Sequence, residues 1–441
     1  MFQAVRNNGD FRICCQANGS ADRGILRHAD GSVANAASDD PVAARNLPLM
    51  RDARQKMLKG EWPQSCVRCT KEEAAGLRSR RTYEIQFWGK TVNAETVSAL
   101  TQPDGWLNTD AVPLRSMDIR FGNKCNLKCR MCGATDSDLW YADHAALFGP
   151  SFEDTHGQVK LEQDKTGRWR ASSAGYEWYE TADRFWRQLD ASLPSLEHIH
   201  IVGGEPLLLQ RHYELIEKIV RAGESKHIIL EYNTNLTILP QKVLDLWSDF
   251  KAVRVGVSLD GYGALNDYIR SPSKWSLLEK NLHRLDQAAG PIDCWISATM
   301  QIYNIFYLPE LITWRLAAGF KRFNKSALTP LVTSHPVHSP KHLNIRALPA
   351  HAKLAVQQKF AAYEAQFTAT QAHSELQKRR LNEVLAGYIK FMYAEDLSRH
   401  FPEFVKYTQS LDAIRGQSFY KVAPEWSGIL HGKFEQHEAT V

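Results

Sequence analysis

Hydrophobic positions through the middle of the chain switch repeatedly between two periods. Leu114–Phe121 and Leu196–Gly204 alternate apolar and polar residues, as a strand does. Gln210–Ala222 instead repeats apolar residues at three and four, as one face of a helix does. The switch recurs in strand Ile228–Asn233, helix Pro240–Phe250, strand Val253–Asp260 and helix Ser273–Leu285. Strand Cys294–Gln301 and helix Tyr307–Gly319 come next, and Lys321–Leu328 (KRFNKSAL) is the candidate sixth strand. Strands alternating with helices predict parallel pairing and right-handed crossovers. Six such units make a partial (β/α)6 barrel of TIM type, so the expected fold class is α/β. A polar stretch, Ser151–Tyr179, interrupts the order without a clear period. Beyond Pro349 the pattern is helical, in His351–Phe367 and Ser374–Tyr393. The expected division is 1–105, 106–335 for the barrel, and 336–441 for a helical extension that closes the barrel or covers its substrate site.

Composition narrows the class. With 44% hydrophobic and 23% charged residues, the chain reads as a globular protein rather than a disordered one. Lysine and arginine exceed the acids by 54 − 49 = 5, which argues against a nucleic-acid partner while leaving room for a local basic groove. No stretch approaches the roughly 18 apolar residues of a membrane span. Met1–Cys15 lacks the apolar core of a signal peptide. The expectation is a cytoplasmic protein with no membrane partner, in a compartment where thiols stay reduced.

Eight cysteines therefore need another role than disulfides. Cys14 and Cys15 are adjacent, Cys66 and Cys69 form C-x-x-C, and Cys125, Cys129 and Cys132 form C-x-x-x-C-x-x-C. Cys294 stands alone in an apolar run and reads as a small buried hydrophobe. Three thiols within FGNKCNLKCRMCG would strain any disulfide among them. Bound to one iron–sulfur cubane they cap three irons and leave the fourth without a protein ligand. Zinc is the alternative, and it needs a fourth ligand that nothing nearby clearly supplies. The motif comes after one strand, and Gly203-Gly204-Glu205-Pro206 comes after the next. Strand carboxyl ends are where such barrels place their chemistry. Taken alone, the two glycines could equally mark a tight turn.

On these residues the sequence resembles the radical S-adenosylmethionine (radical SAM) enzymes, whose shared motif is matched by CNLKCRMC. The resemblance implies a 4Fe–4S cluster on Cys125, Cys129 and Cys132. Its open iron would chelate the amino and carboxylate groups of S-adenosylmethionine, and reductive cleavage would yield a 5′-deoxyadenosyl radical that abstracts hydrogen. Met131 occupies a position near adenine that is often aromatic in the family. GGEP matches the second signature, with Gly203, Gly204, Glu205 and Pro206 at the cofactor's ammonium. By the same analogy Asn235 and Ser258 lie near its ribose or methionine, and Arg270 near its carboxylate. Helix capping is the plainer role for such strand-end residues. Asp260, Gln301 and Asn304 are similarly placed.

The first hundred residues resemble the SPASM/twitch accessory module of radical SAM proteins, through Gly9-x-x-x-x-Cys14 and the later Cys66-x-x-Cys69. That module implies an auxiliary iron–sulfur cluster held by up to four thiolates, from Cys14, Cys15, Cys66 and Cys69. The order differs from the family, because here the module precedes the barrel. Together the two resemblances imply an oxidoreductase acting on an unactivated C–H bond, with a ribosomal peptide as substrate. An external electron donor such as flavodoxin or ferredoxin is implied too. A small metabolite or an RNA is the alternative substrate, and a non-catalytic iron–sulfur or zinc scaffold is the rival of another class. The run Arg78–Arg81 can be read as a phosphate or acidic-peptide contact, but such a run is more often a solvated helix face. His335 and His338, in the loop TSHPVHSP after the sixth strand, could reach substrate, but a loop histidine beside proline reads more simply as polar surface.

Overall fold

The computed structural model describes residues 2–17, 22–89, 92–172, 175–323 and 332–430. Its main sheet begins with β1 (Phe2–Val5) and β2 (Phe11–Arg12) and continues, after four helices, with β3 (Ser116–Phe121). A separate antiparallel sheet joins β4 (Ser151–Asp154), β5 (Gly157–Gln163) and β6 (Trp169–Ala171). The main sheet resumes with β7 (His198–Gly203), β8 (Ile229–Thr234), β9 (Ala252–Ser258), β10 (Ile292–Met300) and β11 (Thr333–Pro336).

The eight strands lie in the order β11-β10-β9-β8-β7-β3-β1-β2. Every neighbouring pair from β11 to β1 is parallel, and β2 closes the row antiparallel to β1. The sheet ends on two different strands, so the barrel is partial and open. Crossover helices Gln210–Arg221, Gln241–Trp247, Trp275–Gln287 and Leu308–Ala317 link successive strands from β7 to β11.

Side-chain polarity separates the two faces of this sheet. Ile119, Ile201, Leu230, Val255 and Ile296 point into the helical layer and are fully buried. Cys294 sits among them on the same face, buried. The residues between them, Arg120, His200, Glu231, Arg254 and Trp295, line a cavity of about 880 Å³. Parallel strands buried on both faces read as continuous apolar runs. Here the alternation of apolar with charged residues builds a barrel with a polar interior.

Two expectations are corrected. The sixth parallel strand is Thr333–Pro336, paired with β10 from Ser297↔Thr333 to Met300↔Pro336. In KRFNKSAL, the amides of Lys321 and Arg322 donate to the Asp286 carboxylate at 2.9 and 2.7 Å. Those bonds tie the segment to the end of helix Trp275–Gln287, leaving Phe323 one isolated bridge to Cys294. Residues 324–328 lie outside the described ones. The stretch read as unpatterned, Ser151–Tyr179, contains the three short strands β4–β6. Their inward residues Phe152, Val159 and Leu161 form a second small core with Tyr141 and Tyr176.

Helices Ala350–Ala369, Glu375–Tyr393 and Phe401–Arg415 come after the barrel. The second turns Arg380, Val384 and Tyr388 toward the cavity. The third packs against helix Trp140–Phe148 behind the cysteine loop. No described helix is long and apolar enough to cross a membrane.

Candidate active site

The loop after β3 opens with a turn that tolerates no side chain. Gly122 has φ +63°, and a Cβ there would stand 2.2 Å from the Tyr176 carbonyl oxygen. Asn123 then donates to Ala134 O at 2.9 Å and to the Tyr141 hydroxyl at 2.8 Å, tying the two ends of the loop together. Cys125 N donates to Asp138 Oδ1, Ser137 Oγ to Leu127 O, and Trp140 Nε1 to Cys129 O. Lys128 N and Arg130 N donate to the carbonyls of Ser271 and Ile269, which joins the loop to the segment after β9. Few backbone groups are left free to move the sulfurs.

Donors also face the sulfurs. Leu127 N lies 3.4 Å from Cys125 Sγ, Asn235 Nδ2 4.0 Å from the same atom, and Arg270 Nη1 3.8 Å from Cys129 Sγ. Positive and N–H partners favour thiolates, the form that binds metal. Burial, with the nearby Cys129 and Glu205 adding to it, pushes the Cys125 thiol up. Cys129 is held below the usual range, chiefly by the thiol of Cys132, which is itself raised, with Arg270 adding to the effect. Arg270 in turn pairs with Asp260 at 2.8 Å, and Asp260 Oδ1 accepts from Thr299 N. Asn304 braces this turn by donating to the carbonyls of Asp260 and Thr299.

The GGEP turn meets the cysteine loop backbone to backbone. Gly204 N donates to Gly122 O at 3.1 Å and Glu205 N to Lys124 O at 2.9 Å. A Cβ on Gly204 would lie 2.2 Å from Lys124 O, so only glycine permits this approach. The Glu205 carboxylate turns toward β8, accepting from Thr234 Oγ1, Asn235 N and Leu207 N at 2.8, 2.7 and 3.2 Å. Burial raises it to about 7 against those donors.

Cys125, Cys129, Cys132, Gly203, Gly204, Asn235, Ser258 and Arg270 all line the interior cavity described above. Glu205, Pro206 and Met131 do not reach its wall; Met131 packs against the core. Of the N-terminal cysteines, Cys15 lines the cavity, and Cys14, Cys66 and Cys69 do not. Cys14 and Cys15 share a hydrogen bond, and Cys14 lies within electrostatic reach of Cys69 and Arg80. Among the described residues no three His, Cys, Asp or Glu side chains converge as ligands of a single ion do. Thiolates spread along one loop suit the corners of a cluster, which is wider than an ion.

Two readings of the sequence need correction here. Arg80 is no solvated residue: its side chain is 13% exposed and pairs with Glu84 and Glu231. His335 lies on β11 and lines the cavity, while His338 pairs with the buried Glu72 at 3.1 Å. The interior group around Glu231 was missed altogether. Glu231 receives Tyr83 OH at 2.8 Å, His198 at 3.2 Å and Arg254 at 3.1 Å. Its signal was present in HIHIV, LEY and VRV, where charged residues alternate with apolar ones inside parallel strands.

Residues 119–306 match the family model of the Radical SAM superfamily. Among solved structures, SuiB of Streptococcus suis bound to S-adenosylmethionine is similar at 16% identity, with a TM-score of 0.35. The match covers 69% of this chain and 60% of that one. SuiB bound to precursor peptide SuiA gives 16% identity, coverage of 72% and 64%, and a TM-score of 0.34. Native anSMEcpe with bound AdoMet and Cp18Cys peptide gives 14%, 58% and 61%, and 0.35. This chain thus spans about 60% of the length of the first of these proteins. No curated protein matches the chain.

Gly204→Ala tests the loop geometry. The variant is expected to lose most of its iron after reconstitution and desalting, because Lys124 and Cys125 must shift. Gly133→Ala is the control, since a Cβ there meets nothing within 4 Å. Equal iron per chain in the two would mean that the close approach at Gly204 does not hold the thiols.

Proposed function

We propose that the chain cleaves S-adenosylmethionine reductively and takes a hydrogen atom from a C–H bond of a peptide. The observation that carries this reading is the cysteine loop at the carboxyl end of β3. Its three sulfurs face the same cavity as the Gly203-Gly204 turn, Asn235, Ser258 and Arg270.

In this reading Cys125, Cys129 and Cys132 hold a 4Fe–4S cluster. When bound, that cluster supplies an electron and an open iron for the cofactor. Arg270, set by Asp260, offers a guanidinium to a carboxylate. Gly203 and Gly204 let the β7 turn close onto the backbone of the cysteine loop, which sets that turn beside the cluster site. Glu205 fixes the start of the segment after β8 through the Asn235 amide, and thereby the Asn235 side chain. The accessory-module resemblance favours a peptide as the substrate.

A second iron–sulfur cluster on Cys14, Cys15, Cys66 and Cys69 belongs to the same proposal, as electron acceptor or substrate ligand. So does an oxidoreductase outcome fed by flavodoxin or ferredoxin. The proposed division keeps 1–105 as the cysteine-bearing module, 106–335 as the barrel and 336–441 as the helical extension. Strand β1 nevertheless shares the barrel sheet through β3.

The test is anaerobic reconstitution with iron and sulfide, then reductant and S-adenosylmethionine. 5′-Deoxyadenosine is the expected product; its absence from iron-loaded protein would end the enzymatic reading. Cys66→Ala/Cys69→Ala is expected to lose one cluster's worth of iron, about four atoms, while some uncoupled cofactor cleavage continues. Iron content equal to that of the parent would remove the auxiliary cluster.

A further inference from the structure

Helix Arg80–Trp88, from the cysteine-bearing segment, lays Tyr83 and Phe87 into the barrel interior. Three guanidinium carbons gather round the Tyr83 ring: Arg78 at 5.2 Å, Arg80 at 5.0 Å and Arg254 at 5.3 Å from its centroid. Like charges this close repel unless each is matched. Two of them are. Arg80 pairs with Glu84 at 2.6 Å and reaches Glu231 at 3.5 Å, and Arg254 pairs with Glu231 at 3.1 Å. Arg78 pairs with no carboxylate among the described residues. Its Nη2 donates at 2.6 Å to the neutral amide oxygen of Gln86.

Arg78 is therefore a surplus cation, and it is placed to be used. It is exposed, yet it lines the same cavity as Cys125, Cys129 and Cys132. Stacking on Tyr83 and the bond to Gln86 set the plane of its fork before any ligand arrives. A preorganised guanidinium suits the two oxygens of a carboxylate, which it can bind side by side. Glu231 shows that this ring of arginines already accepts one carboxylate from the protein itself. A polyanion is the less favoured ligand: Arg68, Arg80, Arg254 and Arg270 of this cavity are already paired with carboxylates, and the net charge of the chain is only +5.

We propose that Arg78, aligned by Tyr83 and Gln86, anchors an acidic residue of the substrate peptide through its carboxylate. This rests on the peptide reading above. It makes the run Arg78–Arg81 part of substrate selection rather than a solvated face.

The experiment equilibrates the reconstituted, cofactor-bound protein with a pool of random synthetic hexapeptides and sequences the bound fraction. Asp or Glu is expected to be enriched at one position by about tenfold, the discrimination one charge-assisted pair supplies. Arg78→Gln, at an exposed position and checked by its melting curve, is expected to lose that enrichment. Absence of acidic enrichment in the parent, or its persistence in Arg78→Gln, would overturn the proposal. So would inorganic phosphate binding in an Arg78-dependent way while acidic peptides do not, since the ligand would then be a phosphate ester. Failure to form 5′-deoxyadenosine in the same preparation would remove the enzymatic reading and leave the peptide result standing, so the two are read separately.

Discussion

Replacing Cys125, Cys129 or Cys132 by alanine is expected to abolish 5′-deoxyadenosine formation, a fall of about 10⁶ or more, the least that enzymes commonly supply. The loop is held from both ends and from the side, by Asn123, Ser137, Trp140 and the carbonyls of Ser271 and Ile269. It therefore survives the loss of one sulfur with its backbone in place, and the remaining two thiols cannot shift to compensate. Iron per chain and the absorbance of iron-bound thiolate should fall with the product. Full cleavage by any of the three single variants would mean that the cofactor's electron comes from elsewhere in the chain.

The second large effect is expected at Asp412, far from the cysteines in sequence. Arg130, between Cys129 and Met131, is fully buried. Its guanidinium lies 3.6 Å from the Tyr268 ring centroid and 5.5 Å from that of Tyr303. It bonds to the Asp412 carboxylate and to Gln417 Oε1. Asp412 also accepts from Tyr268 OH and Phe419 N, both at 2.8 Å. Asp412→Ala leaves a buried guanidinium without its counter-charge, a loss of about 3–5 kcal/mol. The variant should melt lower as apo protein and retain less iron, since Tyr407 OH and Arg415 clamp the same region through Arg130 O and Asp143. A melting point equal to the parent's would show that the aromatic stack alone satisfies Arg130.

The barrel order was legible because strand and helix periods alternate over runs of six to thirteen residues. Every crossover helix from Gln210 to Ala317 sits within a few residues of its expected place. What escaped was set by distant partners. The strand Thr333–Pro336 is four residues ending in proline, and its identity comes from pairing along β10. KRFNKSAL looked more strand-like, but Asp286 takes its first amides. The arginine run carried the charge pattern of a wet helix, and only a glutamate some 150 residues on makes Arg80 an interior residue. At the site, the cysteine spacing and GGEP named the segments that meet. They could not say that the Glu205 side chain turns away from the cavity, because Thr234 and Asn235 draw it there.

The clamp on Arg130 also has a meaning in time. Asp412 lies 282 residues further along, so a ribosome working at roughly 5–20 residues per second needs about 15–60 s to deliver the partner. Through that interval the loop has its contacts to residues up to 271 but lacks the counter-charge of Arg130. Locking of the cysteine loop is accordingly a late event in the life of the nascent chain, and protein made quickly under aerobic conditions should accumulate with the loop formed and the iron missing.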